Sequence, residues 1–235
     1  MIVYGRRAVR EAVRGRRAVH RIWASRTASN ETWLGGDAIP ATDLELTRLC
    51  GSPDHQGICA KTEPYRYADP AGLLERDDSI VVALDEVQDP QNLGAVCRVA
   101  ECSGAAGVVI AERRAAQITA SVCKASAGAV EHLAIARVRN LADYLAQAKG
   151  AGAWVYGAST ARAAIPYDRP DYTGRVVAVF GAEGRGLRPR VAGACDALVT
   201  LPLRGRLESL NVAAAAAAVM YGILHLRGEQ VDRAP

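Results

Sequence analysis

The chain has 235 residues, half of them hydrophobic, and a formal net charge of +4, enough apolar material for one large domain or a small domain beside a medium one. The N-terminus is charged and lacks the apolar stretch of a secretion signal, and the longest apolar run, Val212 to Leu224, is too short for a bilayer, so a cytoplasmic protein with no membrane partner is expected. Cysteines at 50, 59, 97, 102, 123 and 195 form no C-x-x-C and no His/Cys pair with ligand spacing, so no metal is expected and the thiols read as reduced core fillers.

In chain order, Gly5 to Arg14 reads as a helix, Val19 to Ala24 as a strand, Ala41 to Cys50 as a helix bearing Leu44, Leu46 and Leu49, and Gly57 to Thr62 as a strand. These make a small α/β module over residues 1–63, near the lower limit for independent stability. The stretch between Ala24 and Ala41 is short and holds Gly35-Gly36. Residues 1–26 contain eight arginines against one acid, Glu11. Guanidinium forks bind phosphate bidentately, so this balance favours a nucleic-acid partner over a merely solvated helix face. His55 sits in a Gly-bounded turn and reads as a turn or RNA-contact residue. Trp23 and Trp33 read as packing residues, with stacking on bases as the alternative.

Residues 64–79 are Pro-containing and charge-rich and read as a linker. From residue 80 onward, apolar strands alternate with helices. Strands are expected at Ile80–Leu84, Gly107–Ala111, Leu133–Val138, Trp154–Gly157, Arg175–Phe180 and Ala197–Leu201. Helices are expected at Asn92–Ser103, Ala115–Ser126, Leu141–Lys149 and Asn211–Leu226, with a short turn near 187–193. This alternation means a mainly parallel sheet covered on both faces, an α/β domain over residues 80–235. Helix Asn211–Leu226 is Ala-rich in its first half and apolar nearly all round, so it must be buried in the subunit or against another one.

Three strand ends in this domain carry unusual loops. Ile80–Leu84 runs into Asp85-Glu86-Val87-Gln88-Asp89-Pro90-Gln91-Asn92-Leu93-Gly94 and a helix on which Arg98 and Glu101, three residues apart, can pair. Val176–Phe180 enters Gly181-Ala182-Glu183-Gly184-Arg185-Gly186, where glycines permit close approach of backbone to a ligand. Leu201-Pro202-Leu203-Arg204-Gly205 leads through Ser209-Leu210-Asn211 into the last helix. Taken alone, Ser209 or Asn211 reads as a helix cap, and Glu183 as a charged turn residue in solvent.

In this order the three segments resemble the signature motifs of the SpoU (TrmH) family of SPOUT RNA 2′-O-ribose methyltransferases: N-x-G-x-x-x-R, G-x-E-G-x-G and P-x-x-G-x-x-x-S-L-N. The N-terminal Val3-Tyr4-Gly5 and His55–Ala60 resemble the small substrate-binding domain of the branch acting on 23S rRNA guanosine. The resemblance implies a deep trefoil knot at the C-terminal end of the sheet and a homodimer with shared active sites. It implies S-adenosylmethionine as methyl donor, a ribose 2′-OH in RNA as acceptor, and ribosomal RNA as the partner ahead of transfer RNA. Asn92, Arg98, Glu183, Ser209 and Asn211 match the family's catalytic positions. Gly181, Leu201 and Leu210 match positions whose main chain surrounds the cofactor's adenine. Arg98 is expected to hold ribose or phosphate and to stabilise a developing alkoxide, because an arginine is too basic to act as a general base. Asn92 is expected to orient Arg98 or the substrate, Glu183 to position Arg98 or another active-site group, and Glu101 to pair with Arg98. Ala213 stands where the family pattern has serine. A transfer-RNA guanosine methyltransferase and an adenosine-modifying ribosomal-RNA enzyme giving antibiotic resistance are the alternatives. Outside this class stand a catalytically inactive RNA-binding protein and a nicotinamide-dependent oxidoreductase; the latter would need a G-x-G-x-x-G turn, which is missing.

Overall fold

The computed structural model describes residues 1–36 and 38–228; the end of the expected catalytic domain, 229–235, lies outside the described residues. The first unit is a four-stranded sheet of β1 (Ile2–Tyr4), β2 (Val19–Ala24), β3 (Ile39–Pro40) and β4 (Ile58–Thr62) in the order β1-β4-β2-β3. Helices α1 (Arg6–Arg14) and α2 (Asp43–Cys50) belong to it. A reciprocal Thr42–Glu45 capping box starts α2, and Gly51, left-handed at φ 64°, ends it. Two single 3-10 turns, Ala28–Asn30 and Thr32–Leu34, occupy the short stretch before β3 and bury Ala28 and Leu34.

The second unit is a seven-stranded, all-parallel sheet of β5 (Ile80–Asp85), β6 (Gly107–Ala111), β7 (Ile135–Val138), β8 (Trp154–Ala158), β9 (Ile165–Pro166), β10 (Val176–Gly181) and β11 (Ala197–Thr200). Its order is β7-β6-β5-β10-β8-β11-β9. The helices are α3 (Pro90–Cys102), α4 (Ala120–Ala125), α5 (Leu141–Gly150), α6 (Pro189–Ala192) and α7 (Val212–Leu226). Side chains alternate across the sheet. Val82, Leu84, Ala178 and Phe180 join Leu93 and Val96 of α3 and Val219 and Ile223 of α7 in one core. Val81, Ala83, Val177 and Val179 pack with Leu141 and Leu145 of α5 in the other.

The helix expected over 115–126 is shorter. Thr119 caps α4, and the residues before it are tied elsewhere: Ala116 N donates to Val87 O at 2.9 Å and Ile118 N to Tyr67 Oη at 3.0 Å. The two-residue strands β3 and β9 carry too short a pattern to be seen in sequence.

The two units share a core. Val3, Val9, Ile58 and Ala60 of the first lie in the same cluster as Val122, Cys123 and Val130 of the second. Arg17 crosses the junction and pairs with Glu131, Nε to Oε2 at 2.8 Å, with both side chains almost completely buried. Segment 64–79 is packed along this seam. Tyr65 Oη donates to Leu133 O at 3.2 Å, Ala68 bridges to Ala136, and Leu73 and Leu74 are buried.

Candidate active site

Strands β5 and β10 lie side by side in parallel register, Asp85 opposite Gly181, so the first two unusual loops leave the same edge of the sheet from neighbouring strands. Strand order changes direction here: β5, β6 and β7 run one way, while β10, β8, β11 and β9 lie on the other side. In open parallel sheets, ligands bind in the crevice outside such a switch point. The third loop arrives from β11, two strands further along.

Loop 181–187 is a tight hairpin. Gly186 N donates to Ala182 O at 2.8 Å, and Gly184 and Gly186 take φ 75° and 64°. A Cβ on Gly181 would stand 2.1 Å from the Gly186 carbonyl carbon, so only glycine permits this closeness. The hairpin is anchored by a pair the sequence motifs did not single out. The carboxylate of Asp85, fully buried at the end of β5, accepts from Arg188 N and Arg188 Nε, both at 2.8 Å. That bonding pushes the Arg188 pKa further up. A carboxylate ending an otherwise apolar buried strand was the available signal.

Between the second and third loops lies a cleft of about 450 Å³. Its apolar side is Phe180, Leu201, Leu210, Val212 and Val219, and its polar side includes Ser159, Thr160, Glu208 and Ser209. Gly181, Leu201, Leu210, Glu183 and Ser209 all line it, as do Ser159 and Thr160 of the loop after β8, which sequence reasoning missed. This size and mixed lining suit a small-molecule cofactor.

At the end of the cleft that Glu183 lines, Asn92 and Glu183 meet on Asn211. Asn211 is the N-cap of α7: its Oδ1 accepts from Ala213 N at 2.9 Å and Ala214 N at 3.3 Å. Its Nδ2 donates to Asn92 Oδ1 at 2.9 Å and also to Glu183 Oε1. One Asn211 side chain therefore both caps α7 and bridges Asn92 to Glu183. Ser209 is exposed on the cleft wall and caps nothing.

Arg98 stands apart from this cluster. It lies six residues beyond Asn92 on α3, about 9 Å along the axis and well round the helix. It points into a separate cleft between the two units, with Arg6, Arg7 and Lys124. Within one chain neither Asn92 nor Glu183 bonds Arg98; both are engaged with Asn211. The expected Arg98–Glu101 pair does not form either; Glu101 instead accepts from Cys102 Sγ at 3.5 Å. His55 is buried in its turn, where Nδ1 accepts from Gly57 N at 3.0 Å and Nε2 bonds Thr47 Oγ1 at 3.1 Å. Trp23 packs beside Tyr4, Leu46 and Cys59, and Trp33 Nε1 donates to Glu31 at 3.0 Å, as packing residues do.

All six cysteines are free thiols; Cys59, Cys97 and Cys123 are buried, and Cys102 is exposed. Among the described residues, no group of three or more His, Cys, Asp or Glu is placed to hold a metal, and no helix is long and apolar enough to cross a membrane.

Fold and site together define an α/β protein with a cofactor-sized cleft at the strand ends of a parallel sheet and a small second unit beside it. The model of the SpoU rRNA methylase family matches residues 79–221, and that of the RNA 2′-O ribose methyltransferase substrate-binding domain matches residues 2–68. The chain belongs to the SpoU family of RNA methyltransferases. It is 38% identical over 191 residues to an uncharacterized tRNA/rRNA methyltransferase of Synechocystis, covering 79% of this chain but only 50% of that protein. It is 39% identical over 178 residues to a putative TrmH family tRNA/rRNA methyltransferase of Bacillus subtilis, covering 74% of this chain and 71% of the relative. Its fold matches the SpoU methyltransferase AviRb of Streptomyces viridochromogenes, solved with AdoMet, at a TM-score of 0.80 and 24% identity over 97% of this chain and 91% of that one.

Proposed function

We propose that this chain methylates a ribose 2′-hydroxyl in RNA, with a guanosine of 23S rRNA as the target. The observation that carries the reading is the Asn92–Asn211–Glu183 cluster at the end of the cofactor-sized cleft. The resident donor of a SpoU enzyme is S-adenosylmethionine, which supplies an electrophilic methyl on a sulfonium.

The residues present fit that donor. Gly181 and its hairpin offer main-chain groups without a Cβ in the way, and Leu201 and Leu210 offer main chain beside apolar walls suited to an adenine. The positive sulfonium suits the end of the cleft where Glu183 lies. Ser209 lines the same cleft and is available to the substrate or donor. The family's knot would bring the 201–211 segment beside the 181–187 hairpin, and residues of both line this cleft.

When bound, the donor would give its methyl to the ribose oxygen and leave as a neutral thioether, and the hydroxyl proton would pass to solvent water. Asn92 and Asn211, held in fixed orientation by mutual bonding and by the helix cap, position the ribose. Arg98 stabilises the developing alkoxide or grips the adjoining phosphate. Because Arg98 and the Asn211 cluster lie in different clefts of one chain, the site is completed in a homodimer, each subunit lending Arg98 to its partner's cofactor cleft.

The test uses purified protein, labelled S-adenosylmethionine, and ribosomal or transfer RNA from cells lacking this protein. Label is expected in 23S rRNA, on a guanosine ribose, by nuclease mapping and mass spectrometry. Label on a base, or in transfer RNA alone, overturns the assignment.

A further inference from the structure

The arginines of the N-terminal unit are not equivalent. Arg17 is consumed by its buried pair with Glu131. Arg10 and Arg14 pair with Glu11, at 2.8 and 3.5 Å. Arg6 and Arg7, at the start of α1, instead face the cleft of about 980 Å³ that separates the two units. From the catalytic unit, Lys124 and Arg98 line the same cleft, as does Asp43 from the small one. Arg6 and Lys124 have acidic neighbours, Glu31 at 3.0 Å and Asp54 at 3.6 Å. Arg7 and Arg98 make no hydrogen bond or ion pair among the described residues.

The rest of the wall is mostly polar or small, with Ser25, Thr27, Thr47 and Gln56, main chain at Gly5 and Gly57, and alanines, beside Pro53 and His55. The aromatic ring lining this cleft, His55, is buried with both ring nitrogens bonded, and no Phe, Tyr or Trp lines it, so it offers no exposed platform for stacking a base. It offers charge and hydrogen-bond donors, the recognition chemistry of a sugar–phosphate backbone. The shared core fixes the two walls relative to each other, so the cleft is preformed.

We propose that this cleft between the units is the track for the RNA backbone next to the modified nucleotide, with Arg7, Arg98 and Lys124 as its phosphate contacts. The exposed arginines on the outside of the small unit, such as Arg21, are not part of it. This rests on the RNA-methyltransferase reading and adds the path of the strand. Arg98 then stands where this track meets the partner's cofactor cleft, gripping the phosphate that adjoins the ribose held there, a role distinct from bonding within the Asn92–Asn211–Glu183 cluster.

The experiment uses the full chain and a fluorescent single-stranded RNA of mixed sequence, titrated at several salt concentrations, with S-adenosylmethionine binding measured in parallel. Arg7→Glu is the primary variant; an acid in the first turn of a helix is compatible with its dipole, so the fold is preserved. It is expected to weaken RNA binding by about ten-fold or more and to flatten the log–log salt slope by about 0.7 for each phosphate no longer neutralised. Lys124→Gln is expected to act in the same direction. Arg21→Glu is expected to stay within about two-fold of the parent. Donor binding should be unchanged throughout. Equal losses from Arg7→Glu and Arg21→Glu, or a loss from Arg21→Glu alone, overturn the track. Failure of the parent to bind donor or transfer methyl would count against the enzyme reading, and the RNA titration would still judge the track.

Discussion

At the scale of single residues, Asn211 explains why the third motif ends in asparagine. One oxygen caps α7 while one amide nitrogen joins Asn92 to Glu183. Serine caps nearly as well but cannot reach across with a second donor. Asn211→Ser is therefore expected to cost only about 0.5 kcal/mol in stability yet lower methyl transfer by about a hundred-fold, as loss of a fixed positioning group does. Thermal melts and single-turnover transfer check the two halves; near-parent turnover would show that the bridge is only architectural. Gly181 makes a second residue-scale case. A Cβ there collides with the Gly186 backbone at 2.1 Å, and backbone cannot step aside as a side-chain tip can. Gly181→Ala should open the hairpin and weaken donor binding by at least about ten-fold, measured by calorimetry, while the distant Arg17–Glu131 junction stays intact.

Among the elements, α3 is the one on which most depends. It starts at the Asp89 cap and Pro90, packs against α4 and α7, and carries Asn92 and Arg98 to different clefts. Gly94 lets it approach α4: a Cβ there would lie 2.4 Å from Ala125 Cβ and 2.8 Å from Ser126 N. Gly94→Ala should gain about 1 kcal/mol of helix propensity but lose about 1–3 kcal/mol to overpacking, so a net drop in Tm is expected. A raised Tm would mean that α4 yields freely. Strands β2, β4 to β8, β10 and β11, with α1, α2, α3, α5 and α7, were legible in the sequence because each is long enough to show its pattern and most have a cap or stop residue; β1, β3 and β9, of two or three residues, were not. The start of α4 was not, since residues 115–119 have helical composition but are held by Val87 O and Tyr67 Oη, contacts remote in sequence. The motif residues of the cleft were equally legible. Their partners were not: Asp85 with Arg188, and the separation of Arg98 from Asn92, depend on how loops fold back and on which side of α3 each residue faces.

For the whole molecule, the small unit is fused to the large one. Arg17–Glu131 is a buried pair inside a shared core, so breaking one side leaves an uncompensated charge. Arg17→Met should cost about 3–5 kcal/mol, and calorimetry should show one unfolding transition for the parent chain; two separated transitions would mean the units are independent. For the same reason, deleting residues 1–63 would expose Val122, Cys123 and Val130, so RNA affinity has to be dissected by point variants. The assembly itself is read from α7. Val212, Ala216, Val219, Met220 and Ile223 bury one face in the subunit. The opposite face is mostly apolar but uncovered: Ala214, Ala218 and, at its end, His225 are exposed, with Tyr221 at 48% and Leu226 at 45% exposure. A helix apolar on both sides is at rest only when a second surface covers it, and a two-fold partner would bring its own small residues close enough for backbone contact. A homodimer through this face would also let each Arg98 reach the partner's Asn211 cluster. Tyr221→Lys should therefore weaken self-association by about thirty-fold or more, the cost of a central aromatic anchor of ~2 kcal/mol, and lower methyl transfer along with it. Sedimentation of parent and variant at micromolar concentration reads the first effect and transfer to RNA the second. A monomeric parent with full activity would mean that Arg98 serves its own chain and that the open face of α7 has some other occupant.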